Sequence, residues 1–393
     1  MTPSARIQAA IDLLDEIIRA ARDGGPAADT LIAGYFKTRR YAGSKDRRAV
    51  RDHVYAAIRR AGECPRNGRA AMIGVAWENP EVAALFDGSA HGPAPITAGE
   101  PAAPASAVPL WLQPLLADLM DAQEQEALLE RAPLDLRVNG LRADRDAILA
   151  QLPEGAPTRL SPDGIRLPEG WPIAQTDLWT DGLVEVQDEG SQIIARLCDA
   201  RPGQTVIDLC AGAGGKTLAL AADMQAQGRL IAADTIRNRL ERLAPRAARA
   251  GAAYIESRLL DQGHEDRSLS ALAAMADCVL IDAPCSGTGT WRRNPEARWR
   301  LTPARLERLL AEQARIMDIG AELAAKGGTM VYAVCSLLDR EGRDQVDAFL
   351  GRHPDWECDL SGDMPGRRRG QGIMLSPAHD GTDGFFFTRM KKS

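Results

Sequence analysis

The chain has 393 residues, of which 45% are hydrophobic and 26% charged, a composition typical of ordinary globular proteins. No apolar run is long enough to cross a bilayer, the N-terminus lacks the layout of a secretory signal, and the seven Cys show neither disulfide nor zinc spacing. We therefore expect a cytoplasmic protein of two or three domains, without a metal site or a membrane partner, and a monomer.

The first 88 residues favour a small helical bundle. A helical stripe of apolar residues runs through 4–23, Gly24 and Gly25 end it, and further helices are predicted over about 28–36 and from Ser44 onward. Residues 1–70 contain 14 Lys and Arg against 8 Asp and Glu, although the net charge of the chain is −6. Because a basic surface attracts polyanions, RNA binding is one interpretation of residues 1–88, and a scaffold is the other.

The next 100 residues change character twice. Residues 89–108 are rich in Pro, Ala and Gly without periodicity and are predicted to be a linker. A helical pattern follows through about 130, and then short strands and one helix alternate with Pro and Gly turns. We predict a small α+β domain over 109–185, with strands over 134–139, 158–160, 164–167 and 183–187 and a helix over 144–152.

From residue 186 to 393, apolar strand patterns alternate with helical patterns, which predicts a mostly parallel sheet with helices on both faces. The last segments, Gly372–Leu375 and Gly384–Met390, indicate an antiparallel hairpin at the edge of that sheet. The predicted strands are 205–209, 229–233, 253–256, 278–283 and 329–334. The predicted helices are 216–223, 237–250, 302–325 and 339–350.

A loop of small residues between the first of these strands and its helix indicates a nucleotide-like cofactor. Small residues let a backbone approach a ligand, and a helix N-terminus offers free N–H groups. The spacing fits neither the dinucleotide fingerprint nor a phosphate-binding Walker loop. The loop consists of Cys210, Ala211, Gly212, Ala213, Gly214, Gly215 and Lys216.

Three acidic residues follow successive strands of the same predicted sheet. Asp234 follows the second strand and can accept hydrogen bonds from ribose hydroxyls, Asp261 follows the third strand, and Asp282 ends the fourth. The carboxyl ends of parallel strands meet at one edge of a sheet, so these positions predict a cofactor crevice.

Two thiols come after neighbouring strands and are predicted to face the same crevice. Cys285 lies in the loop after Asp282, and Cys335 ends the fifth strand. A thiolate is a strong carbon nucleophile when positive charge lowers its pKa, whereas a redox pair or metal site lacks CxxC spacing and His partners here. Arg292, Arg293 and Arg298 follow Cys285 and are predicted to contact a nucleic-acid strand.

These motifs resemble the Nop/Sun (RsmB-like) family of RNA cytosine-5 methyltransferases over about residues 109–392. The resemblance is carried by Val186–Gln192, the loop at 210–217, Asp282–Gly289 with Arg293–Trp299, Tyr332–Ser336 and Asp383–Phe387. It implies a Rossmann-like methyltransferase domain over 186–393 and an RNA-recognition-like domain before it. Residues 1–88 are similar, by helical pattern, to the NusB-like bundle that precedes this core in the bacterial small-subunit rRNA enzyme.

The resemblance also implies roles for the site residues. S-adenosylmethionine would be the methyl donor, held by residues 210–216 with Asp234, Asp261 and Asp282. Cys335 would attack C6 of a cytosine and Cys285 would assist release, with Asp282 near N3 stabilising charge on the ring. The RNA would be rRNA, with tRNA as an alternative; a non-catalytic RNA-binding assembly factor and a DNA cytosine methyltransferase remain as other hypotheses.

Overall fold

The structure is a computed structural model that describes residues 1–360, 362 and 364–393, which form two compact units. One unit combines Met1–Glu130 with Thr290–Pro303, and the other combines Arg131–Gly289 with Ala304–Ser393. Among the helices in the described ranges, none has both the length and the apolar character needed to span a membrane.

The first unit is helical. Its helices are α1 (Pro3–Asp23), α2 (Ala28–Thr38), α3 (Ser44–Arg60), α4 (Gly68–Glu78), α5 (Pro80–Ala83) and α6 (Ala122–Ala127). Helix α1 begins where the Thr2 hydroxyl accepts a hydrogen bond from the Ala5 N–H and ends at Gly24, which is left-handed at φ 75°. The apolar faces of α1–α4 build a common core, as the helical stripe predicted.

The predicted boundaries at residues 88 and 108 do not coincide with the limits of this unit, which continues to Glu130. The helix predicted over 109–130 is wrong: the structure has a 3₁₀ turn at Gln113–Leu115 and the short α6. Pro114 lacks the backbone N–H that the interior of a continuous helix requires, and Leu110 is exposed instead of joining an apolar face.

The second unit begins with a small antiparallel sheet and two short helices, the α+β arrangement predicted from the sequence. Its elements are β1 (Leu134–Val138), α7 (Arg145–Leu149), β2 (Ala156–Pro157), β3 (Gly164–Leu167), α8 (Asp177–Thr180) and β4 (Val184–Val186). The strand order is β2-β3-β1-β4, and Leu136, Ile165 and Val184 contribute to its buried face.

The rest of the unit is the predicted α/β domain. Its elements are α9 (Glu189–Leu197), β5 (Thr205–Asp208), α10 (Gly215–Asp223), β6 (Arg229–Asp234), α11 (Arg237–Leu240), α12 (Leu243–Ala250), β7 (Glu256–Leu259), α13 (Glu265–Leu269), β8 (Ala276–Asp282), α14 (Pro303–Leu323), β9 (Ala324–Val334), α15 (Arg343–Arg352), β10 (Trp356–Cys358), β11 (Arg367–Arg369), β12 (Gly372–Leu375), α16 (Pro377–Asp380) and β13 (Phe385–Lys392).

The large sheet has the order β11-β12-β13-β9-β8-β5-β6-β7, and β10 pairs with β13. Strands β9, β8, β5, β6 and β7 are parallel, so their carboxyl ends share one edge. Strand β13 is antiparallel to β9 and lies between β9 and β12, so the predicted C-terminal hairpin reaches into the sheet. Residues Phe385, Phe386 and Phe387 of β13 are buried there, which agrees with a strand inside the sheet and not with one at its edge.

Further elements also differ from the predictions in their limits. The third parallel strand lies over Glu256–Leu259 instead of 253–256, and the helix predicted over 237–250 is divided into α11 and α12. Strand β9 begins at Ala324, immediately after α14, instead of at residue 329. For these two strands local apolar patterns located the element but not its limits, because tertiary pairing sets where a strand begins and ends.

Candidate active site

The loop between β5 and α10 has a backbone shape that requires glycine at two positions. Gly212 and Gly214 are left-handed at φ 56° and 84°. A Cβ on Gly214 would lie 2.2 Å from the Leu243 side chain, whereas a Cβ on Gly212 or Gly215 would meet no atom of the described residues within 4 Å. The loop is therefore packed against the protein on one side and open on the other, where a ligand can approach the backbone.

Asp234 ends β6 and holds the same loop in place. Its Oδ2 accepts a hydrogen bond from the Gly212 N–H at 2.8 Å, and its Oδ1 accepts one from the Ile236 N–H at 2.6 Å. Each carboxylate oxygen has a further lone pair, so the group retains capacity to accept hydroxyl donors of a ligand. The neighbouring Ile236 side chain is 46% exposed, which adds an apolar surface next to the carboxylate.

The other two strand-end acids differ from Asp234 in their surroundings. Asp261 follows β7 by two residues and is exposed, and its backbone carbonyl accepts a hydrogen bond from His264. Asp282, the last residue of β8, binds the Lys216 ammonium through Oδ2 at 2.7 Å. The structure thus places all three carboxylates after parallel strands, and it pairs one of them with the cation that the loop supplies.

Lys216 keeps a positive charge inside the crevice. Burial lowers its pKa, but the charge and hydrogen bond of Asp282 outweigh burial, and the pKa is raised overall. Negative charge on Cys335 is a further contributor to this rise, so the ammonium lies within electrostatic reach of that sulfur. The crevice therefore contains a buried ammonium that is paired with the carboxylate at the end of β8.

The two predicted thiols are in contact. Cys285 follows β8 and Cys335 follows β9, and these strands are adjacent and parallel, with Asp282 paired to Ala333. The two Sγ atoms lie 3.3 Å apart. The hydrogen bond with Cys335 and burial raise the pKa of Cys285 well above its ordinary range. Cys285 therefore keeps its proton at neutral pH, and the two sulfurs are within hydrogen-bond distance of each other.

Cys210, the first residue of the loop between β5 and α10, keeps its proton. Burial, followed by the charge of Asp208, raises the pKa of its thiol well above the ordinary value. The protonated side chain packs against the apolar cluster between the sheet and α14. Its position in the loop thus leaves the backbone as the part that can face a ligand.

Two buried carboxyl groups near the crevice were not predicted from the sequence. Asp208 ends β5, is 1% exposed and accepts a hydrogen bond from the Thr217 hydroxyl at 2.6 Å. Glu341 is fully buried and accepts hydrogen bonds from Ser286 and Ser336. One pattern in the sequence pointed to the site of Glu341: a Ser directly follows each predicted thiol, Cys285 and Cys335, and these two Ser are the ones that bind its carboxylate.

The predicted RNA-contacting arginines lie in the helical unit. Arg292 is buried, Arg293 is half-buried, and Arg298 is 1% exposed. The Arg298 guanidinium donates hydrogen bonds to the carbonyls of Ile58, Arg59 and Ala107, and burial lowers its pKa to about 10. In this geometry the Arg298 charge is used inside the protein, which does not support the predicted phosphate contact.

The segment around Arg298 completes the ends of two helices of the same unit. Glu296 accepts a hydrogen bond from the N–H of Ala28, the first residue of α2, at 3.1 Å. The indole N–H of Trp299 donates to the carbonyl of Ala61, just past α3, at 2.7 Å. Since helix ends carry unpaired N–H and C=O groups, a carboxylate at the first and donors at the second satisfy them. The motif Arg-Asn-Pro-Glu-Ala-Arg-Trp therefore has a structural use here.

Comparison with known proteins agrees with the fold. The family model for "16S rRNA methyltransferase RsmB/F" matches residues 195–391. The probable ribosomal RNA small subunit methyltransferase B of Synechocystis sp. is 33% identical over 300 residues, which cover 72% of this chain and 67% of the relative. The probable enzyme of the same description from Bacillus subtilis is 33% identical over 299 residues, covering 72% and 66%.

The chain thus matches about two thirds of the length of these relatives. Among solved structures, a methyltransferase homologue from Pyrococcus horikoshii superposes with a TM-score of 0.62 at 25% identity, covering 71% of this chain and 92% of that one. The family match spans half of the chain and coincides with the sheet that carries the loop, the acids and the thiols. The chain therefore belongs to the RsmB/F family of 16S rRNA methyltransferases.

Proposed function

We propose that this protein transfers a methyl group from S-adenosylmethionine to C5 of a cytosine in 16S rRNA, through a covalent bond between Cys335 and C6 of the base. The observation that carries the proposal is the 3.3 Å contact between the sulfurs of Cys285 and Cys335 at the edge of the sheet. Two thiols at this distance can act on the same base from one side, one by forming a bond and one by handling a proton.

S-adenosylmethionine is the cofactor of this methyltransferase family, and the crevice fits it. The open side of Gly212 and Gly215 gives the cofactor room beside the protein backbone. We infer that the Asp234 carboxylate accepts hydrogen bonds from the ribose hydroxyls. The exposed Ile236 side chain offers an apolar surface for the adenine. When bound, the cofactor supplies an electrophilic methyl group on a positively charged sulfur.

Cys335 is the group we assign to attack. Cytosine C5 is a weak nucleophile until a thiolate adds at C6, which moves the electron pair of the C5–C6 double bond onto C5. Cys285 retains its proton, and the Lys216 ammonium lies within electrostatic reach of Cys335, so we assign Cys335 as the attacking sulfur. A target base must first be unstacked and turned into the crevice to reach it.

Release then falls to Cys285. The charge of Cys335 contributes to the raised pKa of Cys285, and this charge disappears when Cys335 forms its bond to C6. Cys285 can then lose its proton to solvent and take the C5 proton of the methylated base. The C5–H electrons restore the C5–C6 double bond, the bond from C6 to sulfur breaks, and Cys335 returns as a thiolate.

The test uses two cysteine variants with labelled S-adenosylmethionine and unmodified 16S rRNA. Cys335→Ala is expected to abolish methyl transfer, and Cys285→Ala is expected to accumulate a protein–RNA adduct that survives a denaturing gel. Cys358→Ala, on β10 outside the crevice, is the matched control and should behave as the wild type. A fully active Cys335→Ala protein would refute the mechanism.

The same assay discriminates the alternative substrates. Transcripts of tRNA and a DNA copy of the rRNA sequence are run in parallel with 16S rRNA. Label on tRNA alone would move the proposal to that RNA, and label on DNA alone would contradict an RNA substrate. Absence of cofactor binding by calorimetry would favour a non-catalytic assembly factor.

A further inference from the structure

A fully buried carboxylate joins the two loops that carry the thiols. The Glu341 side chain is 0% exposed and accepts hydrogen bonds from the Ser286 N–H at 2.8 Å and from the Gln313 side-chain amide at 3.0 Å. The hydroxyls of Ser286 and Ser336 both donate to its other oxygen. Ser286 directly follows Cys285 and Ser336 directly follows Cys335, so one carboxylate holds the neighbour of each thiol.

Further hydrogen bonds tie the same two loops together around Glu341. The Thr288 hydroxyl accepts the Leu337 N–H at 2.8 Å, and the Gly289 N–H donates to the Cys335 carbonyl at 3.1 Å. Gln313 also donates to the Pro284 carbonyl at 2.9 Å, so its amide bridges the carboxylate and the loop before Cys285.

Glu341 itself is fixed from behind. The buried Tyr332 hydroxyl donates to the Glu341 backbone carbonyl at 2.7 Å, and Tyr332 lies in β9, the strand that Cys335 directly follows. The carboxylate therefore has a defined position relative to one thiol and binds the loop of the other through Ser286. In a low-dielectric interior such a network is strong when every member is paired and is disturbed when one member is lost.

We propose that Glu341 is a positioning residue that sets the separation of Cys285 and Cys335, and through it the rate of the release step. The inference rests on the proposed function for its kinetic part. Attack requires only Cys335, whereas release requires Cys285 within reach of the base that Cys335 holds. Loss of the Glu341 clamp should therefore slow release more than attack.

The principal variant is Glu341→Gln, which keeps the shape but replaces one acceptor oxygen with a donor amide. At least one of the donors that meet at the carboxylate then loses its acceptor, and the loops must rearrange. Ser336→Ala removes a single hydroxyl from the same network and serves if the first variant does not fold. Glu265→Gln is the matched control, because Glu265 is also buried but its carboxylate binds Arg315.

The first measurement reports geometry without RNA. Diamide takes two electrons and two protons from a pair of thiols, forming a disulfide and its own hydrazine, and the pair must close from 3.3 Å to about 2.05 Å. Peptide mapping follows the bond between Cys285 and Cys335. We expect this bond to form roughly 10- to 100-fold more slowly in Glu341→Gln, the scale of effect that a displacement of about 1 Å has on a reaction. An unchanged rate overturns the proposal.

The second measurement follows the covalent adduct with RNA and methyl donor, with Cys285 intact. Glu341→Gln is expected to raise the adduct fraction while turnover falls, and Glu265→Gln is expected to match the wild type. A fall in turnover without added adduct means a general structural defect and overturns the proposal. Cys285→Ala is run alongside: if it traps adduct and Glu341→Gln does not, the positioning role fails and the proposed function stands.

Discussion

The first prediction concerns Asp208, whose carboxyl group lies at the end of β5 and is 1% exposed. Burial is the largest cause of its raised pKa, the charges of Asp282 and Asp234 add to it, and the hydrogen bond from Thr217 opposes it. The result is a pKa of about 7 in place of 3.8. The folded protein therefore holds a proton on Asp208 over a pH range in which the unfolded chain has released it.

The sign of the stability effect follows from proton linkage. Between pH 4 and pH 7 the folded state binds more protons at this site, so the free energy of unfolding falls as pH rises. At about 1.4 kcal/mol per pKa unit, the shift from 3.8 to about 7 is worth on the order of 4 kcal/mol by pH 8. Asp208→Asn, which cannot ionise and still accepts from Thr217, avoids this loss.

The assay is urea unfolding of wild type and Asp208→Asn without cofactor, at pH 5 and pH 8. The stability of the variant relative to wild type should grow by about 2–3 kcal/mol over that interval, because part of the effect is already present at pH 5. Thr217→Val removes the one hydrogen bond that lowers the pKa and should extend the pH-dependent loss to higher pH. A difference between Asp208→Asn and wild type that is equal at the two pH values would refute the reasoning.

Two further predictions concern ligands. Asp234→Asn should weaken S-adenosylmethionine binding by about 1.5–3 kcal/mol in calorimetry, because a charged acceptor of ribose hydroxyls is lost; an unchanged Kd would remove Asp234 from the cofactor site. Arg298→Ala should lower the melting temperature, since three carbonyls lose their donor, and should leave the salt dependence of RNA binding unchanged. A salt slope smaller by about one would return Arg298 to the phosphate contacts.

The site residues that could be predicted from the sequence are those whose position follows from the residues adjacent to them. A buried strand that ends in an acid, followed by Gly-rich backbone and a helix, is a pattern of adjacent residues, so Asp234 and the loop at 210–216 could be located before any contact was known. The thiols followed from the same reasoning, since Cys285 and Cys335 each come after an apolar strand of one parallel sheet. Alternation of strand and helix determined the α/β class for the same local reason.

The limits of elements and the use of charged residues depended on distant contacts. Arg298 follows the Cys285 loop in sequence and was predicted to contact RNA, but its guanidinium binds carbonyls about 200 residues away in the helical unit. The charge of an arginine does not show whether it contacts a phosphate or a buried helix end, because in both cases the guanidinium donates hydrogen bonds to oxygen atoms. The distinction requires knowing which backbone lies opposite the side chain.

Residue types and their order thus predicted the groups available at the edge of the sheet: a glycine-rich loop, strand-end carboxylates, an ammonium and two thiols. How these groups meet is set by the fold. It brought Cys285 to 3.3 Å from Cys335, paired Lys216 with Asp282, and placed Glu341 beneath both thiol loops. The physical reason is that residue type and order fix what a side chain can do, whereas distance, burial and partner arise from pairing between segments far apart in the chain.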